Sequence, residues 1–183
     1  TAAGILGPPF STAAIKRSLT PDDFSEMAIQ ECTRRCIEFQ LGFRQTEDEK
    51  KLKKYAKLLD LKEIEPLSKP QFVVPPYFLF TSESDPWFDI SLACTRAATL
   101  GADGVPVWPI IHPKSIGGLS GKHSLVESLR SISIEDAWLY PNDFREHHVE
   151  LAALSKLRDV VEAFRSSGVR ARMLHGGFFS MAL

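Results

Sequence analysis

Three short apolar runs in this 183-residue chain end in residues able to do chemistry. Val105-Pro-Val-Trp-Pro-Ile-Ile-His112 ends in an imidazole, and Asp136-Ala-Trp-Leu-Tyr-Pro-Asn-Asp143 in an amide and a carboxylate. Val169-Arg-Ala-Arg-Met-Leu-His-Gly-Gly177 ends in a second imidazole followed by two glycines. His112 and His175 are candidate acids, bases or metal ligands, because an imidazole titrates near neutral pH. Asp143 is the candidate nucleophile or general base. Tyr140, Asn142 and Tyr77 are candidate substrate contacts, and Gly176 and Gly177 offer backbone amides to a phosphate or carboxylate. Each has a plain structural alternative. His112 would bond the loop that follows it, Asn142 or Asp143 would cap a short helical turn, and the glycine pair would supply a tight turn that needs positive φ.

These residues gain interest from the elements that must carry them. Each apolar run breaks into polar, Gly or Pro residues and is followed by a helical pattern, which is the rhythm of a parallel βαβ sheet. In such sheets ligands bind at the carboxyl ends of the strands, where those polar residues fall. The expected strands are Val105 to Ile111, Ala137 to Tyr140 and Ala171 to Leu174. Phe72 to Phe80 is a fourth, cut short near Pro75, and Ala2 to Gly7 is a possible first.

Helices are expected from Thr20 to about Phe43, from a start at Thr46, from Asp85 to about Leu100, from about His123 to Ile132, and from about His147 to Ser166. Thr20-Pro21-Asp22-Asp23 and Asp85-Pro86 are helix starts, and Gly101, Gly104 and Gly168 are stops. Phe24, Ala28, Phe39 and Phe43 write the apolar face of the first helix. Val149, Ala153, Leu157, Val160, Val161 and Phe164 write that of the last. Four or five units of about 30 to 40 residues result, with right-handed crossovers. The expected fold is α/β, a (β/α) barrel or partial barrel of parallel strands, with an open doubly wound α/β sheet as the alternative. A further helix is expected beyond Leu183, which makes the single domain, residues 1–183, a candidate fragment of a larger barrel.

Composition narrows the function classes. The chain is 44% hydrophobic with a formal net charge of -1, enough for one sizeable core and without a general pull toward nucleic acid or anionic membrane. No apolar run approaches the roughly 18 to 20 residues that cross a bilayer, and the start carries no signal pattern, so no membrane partner and a cytoplasmic location are expected. Cys32, Cys36 and Cys94 read as buried structural thiols without a disulfide. His147 and His148 read as solvent-facing, since adjacent helical residues diverge. Lys50, Lys51, Lys53 and Lys54 read as a solvated helix face. Trp87, Trp108 and Trp138 read as core. Ser115-Ile-Gly-Gly-Leu-Ser-Gly121 lacks Walker P-loop spacing, which argues against nucleotide hydrolysis and for a mobile loop over the strand ends.

Trp138-Leu-Tyr-Pro-Asn-Asp-Phe144, the amphipathic helix after it and Leu174-His-Gly-Gly-Phe-Phe-Ser180 resemble a pattern in poorly characterised TIM-barrel proteins related to tRNA-guanine transglycosylases. Ile116-Gly-Gly-Leu-Ser-Gly121 resembles the glycine-rich segment of the transglycosylases themselves. The resemblance covers about the last 80 residues and implies a barrel. In that family an aspartate attacks a nucleoside and releases the base, while a Cys-rich cluster holds zinc. This chain has neither the Asp-Ser-Gly-Gly-Phe-Gln signature nor the zinc cysteines, so catalytic residues do not carry over.

The expectation is a barrel enzyme acting on a nucleoside, nucleotide or nucleic-acid base, with Asp143 as nucleophile or base, His112 or His175 as acid, and Gly176-Gly177 on a phosphate. The alternative is a noncatalytic barrel-derived assembly or recognition subunit. No cofactor is predicted, and a divalent metal held by His112, His175 and Asp143 stays open as a third route. Because open strand edges invite association, a homo-oligomer or partner chain is expected.

Overall fold

The computed structural model describes residues 18–42, 49–58, 60, 70–119, 122–144 and 150–174. These residues form a mixed α/β fold, with five helices and a three-stranded parallel sheet among them. The helices are α1 (Glu26–Gly42), α2 (Glu49–Leu58), α3 (Pro86–Gly101), α4 (Lys122–Ser131) and α5 (Leu151–Ser166). The strands are β1 (Ile110–Ile111), β2 (Asp136–Leu139) and β3 (Arg170–Met173), in the order β1-β2-β3. Ile110 pairs with Trp138 and Trp138 with Arg172, while Ile111 pairs with Leu139 and Leu139 with Met173. An open α/β sheet fits this arrangement, and the described strands do not close a barrel.

The strand expected over Val105 to Ile111 is regular only at Ile110–Ile111. Pro106 and Pro109 have no amide hydrogens, so the ladder is interrupted at both. The segment before α3 shows the same effect. Phe72 to Phe80 forms no strand, yet both of its ends pair in parallel with the β1 segment, through bridges from Val73 to Val107 and from Phe80 to Pro113. Pro75 and Pro76 lie in the unpaired stretch between them. The β2 and β3 expectations each shift by one residue, to Asp136–Leu139 and Arg170–Met173.

Helix starts follow the caps, with one correction. The Asp85 carboxylate accepts the Trp87 amide at 3.1 Å and opens α3 with Pro86 behind it. The Thr20 capping box closes only a 3-10 turn over Pro21–Asp23, in which the Asp23 carboxylate accepts the Thr20 amide at 2.8 Å. The chain then breaks at Phe24 and Ser25, and Ser25 Oγ accepts the Ala28 amide to start α1 afresh. Phe39 is also not on the buried face, since it is 52% exposed while Cys32, Thr33 and Ile37 are buried. Helix α5 ends at Gly168, whose φ of +78° suits a residue without a β-carbon. Ala2 to Gly7, Phe43, Thr46 and residues 145–149, with His147, His148 and Val149, lie outside the described residues. Lys53 and Lys54 are exposed on α2.

One core joins all three crossover helices to the sheet. Ile111, Ala137 and Leu139 pack with Phe88 and Ala98 of α3, Leu125 and Leu129 of α4, and Leu157 and Phe164 of α5. Alternate strand residues point to opposite faces. The other face therefore carries Trp108, Ile110, His112, Trp138, Tyr140 and Arg172, and apart from Ile110 these are half-buried or exposed. Sequence reading placed all three tryptophans in the core, but Trp87, Trp108 and Trp138 are only half-buried. No helix is long and apolar enough to cross a membrane among the described residues.

Candidate functional site

Lateral hydrogen bonding continues past the strands and fixes the residues at their carboxyl ends. Phe80 N donates to His112 O at 3.2 Å, and Lys114 N donates to Phe80 O at 2.7 Å. Tyr140 N donates to Ile111 O at 2.8 Å, Asn142 N to Pro113 O at 2.9 Å, and Asp143 N to Lys114 O at 3.1 Å. His112 and the Tyr140 to Asp143 segment therefore stand side by side on a paired backbone. This is the positional precision that a ligand site needs.

His112 is held in one tautomer. Its Nδ1 lies 2.6 Å from the Tyr140 carbonyl oxygen. A carbonyl only accepts, so Nδ1 carries the hydrogen, and in the neutral ring Nε2 is left as a lone-pair base. Nε2 has no hydrogen-bond partner among the described residues. The imidazole also stacks on the Tyr140 ring, with centroids 4.5 Å apart and planes 11° from parallel, and Tyr77 meets it edge-on at 5.9 Å. Tyr77 is 38% exposed. The contact is not to the loop that follows His112 but to Tyr140, the residue just past β2.

Asn142 and Asp143 form an exposed turn in which Asn142 Nδ2 donates to Asp143 Oδ1 at 3.0 Å. Phe144 N closes this turn on Pro141 O at 3.3 Å. His112 and Asp143 share no hydrogen bond, so the carboxylate does not orient the imidazole. His175, Gly176 and Gly177 lie outside the described residues, as does any geometry between His175 and His112. No group of three His, Cys, Asp or Glu side chains is placed to hold a metal among the described residues.

The loop after β1 departs from the mobile lid expected of it. Ile116 and Leu119 are buried in the core. A β-carbon on Gly118 would clash with the Thr81 carbonyl oxygen, so glycine alone permits this close approach. Residues 115–119 are thus pinned to the 81–82 backbone, and Ser120 and Gly121 lie outside the described residues.

A second charged cluster lies at the opposite, amino-terminal end of the sheet, and sequence reading missed it. The Asp136 side chain is 3% exposed. It accepts from Arg170 Nε at 3.1 Å, Arg170 Nη2 at 2.5 Å and Arg172 Nε at 3.0 Å. Burial alone would push this carboxyl up, but the arginine hydrogen bonds outweigh burial and hold it below the usual carboxylate range. The Arg172 guanidinium also sits 4.6 Å over the Trp108 ring, whose indole stacks on Phe72 at 4.0 Å. An open cavity of about 420 Å³ adjoins this end, lined in part by Thr99, Trp108, Ser133, Asp136 and Arg170. Its charges are already matched to one another, so the cluster is a brace between β2 and β3. The His112 Nε2, unbonded to any described residue, lies at the other end of the strands.

The cysteines are free thiols. Burial pushes Cys32 up to about 12 and Cys94 up to about 11, and it raises Cys36 as well. Thiols so far from the thiolate form are poor nucleophiles and ligands at neutral pH.

The chain matches no family model, no curated protein and no solved structure.

Proposed function

We propose that this chain is part of a (β/α) barrel that binds a nucleobase, nucleoside or nucleotide over the strand carboxyl ends, and that His112 exchanges a proton with it. The observation that carries this reading is the tautomer lock, in which Nδ1–H is fixed on the Tyr140 carbonyl and Nε2 is left as an acceptor. A planar ligand suits this cluster of Tyr77, His112 and Tyr140 rings, in which Tyr77 is 38% exposed, since flat aromatic systems stack on one another at low entropic cost. Asp143 would act as nucleophile or base across from His112, with Asn142 and Tyr140 contacting the base. The resemblance to proteins related to tRNA-guanine transglycosylases favours glycosidic-bond chemistry. For the barrel, support comes from the strand order, which follows the chain, and from the crossover helices, which share one core on one side of the sheet. Doubly wound sheets reverse their order and carry helices on both faces.

The test is incubation of purified protein with a panel of nucleosides and labelled free bases, followed by chromatography of released or exchanged base. Base release or exchange that falls at least about 100-fold in His112→Gln and Asp143→Asn, with unchanged melting temperatures, supports the reading. Activity that persists in both variants contradicts it.

One observation favours a second reading, a noncatalytic assembly or recognition subunit. Beyond β3 no further strand is paired among the described residues, and the face bearing Trp138 and Arg172 is only partly covered. A second copy or partner chain would complete such a sheet. Under this reading native mass spectrometry shows a stoichiometric complex and no nucleoside binds.

A further inference from the structure

We propose that the loop after β1 and helix α5 form a binding site for a phosphate or similar tetrahedral oxyanion, between the Lys156 ammonium and the Ser115 hydroxyl above Gly117. A β-carbon placed on Gly117 would lie 3.6 Å from Ser115 Oγ and 4.0 Å from Lys156 Nζ. A hydroxyl donor and a cation therefore both border the side of Gly117 that carries no β-carbon. Both groups are uncommitted. Lys156 has no carboxylate within ion-pair distance among the described residues, unlike Arg34, Arg158, Arg170 and Arg172. Ser115 Oγ makes no hydrogen bond to a described residue. Ser115, Gly117 and Lys156 are all exposed, so an anion can reach the hydroxyl and the ammonium.

The backbone of this turn is also fixed. Helix α5 packs against the Ile116–Gly118 turn, the turn closes through Gly118 N on Ser115 O at 3.0 Å, and Gly118 fits flush on Thr81. The backbone that carries the hydroxyl is therefore ordered before the ligand arrives, which lowers the cost of binding. Ser115 lies three residues past His112, at the same end of the sheet. The inference thus deepens the nucleotide reading above and rests on it for the rest of the ligand, but the anion site stands on its own atoms. It also places the phosphate on Ser115, Gly117 and Lys156, three residues that sequence reading did not assign to phosphate.

The probes are inorganic phosphate, an unphosphorylated nucleoside and its 5′-monophosphate, titrated by calorimetry into the whole chain and into three variants. Wild type should bind phosphate in the millimolar range or tighter. Lys156→Met should weaken it at least about tenfold, as expected for a hydrogen bond to a charged group. Gly117→Ala should weaken it comparably with an unchanged melting temperature, because its methyl makes only ordinary contacts while standing against the hydroxyl and the ammonium that would hold the anion. Arg158→Met, which changes a guanidinium already bonded to Ser155 and Asp159, should stay within twofold. A monophosphate that binds more tightly than phosphate and nucleoside alike identifies a nucleotide ligand. A monophosphate equal to inorganic phosphate identifies a free phosphate site. No phosphate binding in wild type, or equal binding in Lys156→Met and Gly117→Ala, overturns the proposal. Nucleoside binding without phosphate binding sinks this inference alone, whereas phosphate binding without nucleoside binding sinks the nucleotide reading alone.

Discussion

Replacing Asp136 by Ala should destabilise the protein by about 2–3 kcal/mol at neutral pH. The carboxylate is nearly inaccessible, with a side chain 3% exposed, and it accepts three hydrogen bonds from two guanidinium groups. Bonds to a charged group contribute about 1.5–3 kcal/mol each. The Arg170 and Arg172 side chains are 65% and 43% exposed, however, so water screens the pairing and rehydrates both when the partner goes. That discount brings the sum down to the figure given, equivalent to a fall in melting temperature of about 4–12 °C for a chain of this length. Removing both guanidinium groups together should cost more than removing the carboxylate, because the charge then left without a partner is the buried one. The pH dependence has a definite sign. The folded carboxyl is held below the ordinary value of about 3.9. Its contribution is therefore complete above that value and is lost as pH falls through the folded one. Urea denaturation of wild type and Asp136→Ala between pH 7 and pH 2 reads this directly, with the two curves converging in acid. Equal stability at pH 7, or a gap that stays constant down to pH 2, would refute the account of the brace.

Gly118→Ala should cost about 1–3 kcal/mol by thermal or chemical denaturation, since its methyl would overlap the Thr81 carbonyl; an unchanged melting temperature would mean the loop is not pinned. Phe164→Ala should cost about 3–5 kcal/mol, because Phe164 is fully buried between α5 and the sheet, and a loss under 1 kcal/mol would place α5 elsewhere. With the thiols of Cys32 and Cys94 pushed up to about 12 and 11, neither should react with a thiol-disulfide reagent at pH 8 until the protein is unfolded. Rapid labelling of either in native protein would contradict their burial.

Much of this was written locally, and local signals survived. Asp85 and Pro86 start α3, Gly168 stops α5, and the β2 and β3 runs sit within one residue of their expected ends. The losses came where two local rules competed. Apolar character marked Val105 to Ile111 as strand, but Pro106 and Pro109 removed the donors that a ladder needs. Thr20 and Ser25 are both cap residues five positions apart, and the second opens the long helix. Of the candidate site, His112, Tyr140, Asn142 and Asp143 are brought together because parallel strands align their carboxyl ends. The brace of Asp136 with Arg170 and Arg172 was illegible, since it depends on the register of β2 against β3. Lys156 was illegible for a similar reason, because the rotation of α5 over the Ile116–Gly118 turn is set by packing between distant segments.

The central claim is that His112 presents an unprotonated Nε2 to a planar ligand. Long-range proton–nitrogen NMR of the histidine side chains, assigned with His112→Gln and titrated with nucleosides, tests it most directly. The account predicts the Nδ1–H tautomer for the neutral ring and a displaced Nε2 resonance when ligand is added. An Nε2–H tautomer, or an Nε2 signal unmoved by every nucleoside and base at millimolar concentration, would contradict it.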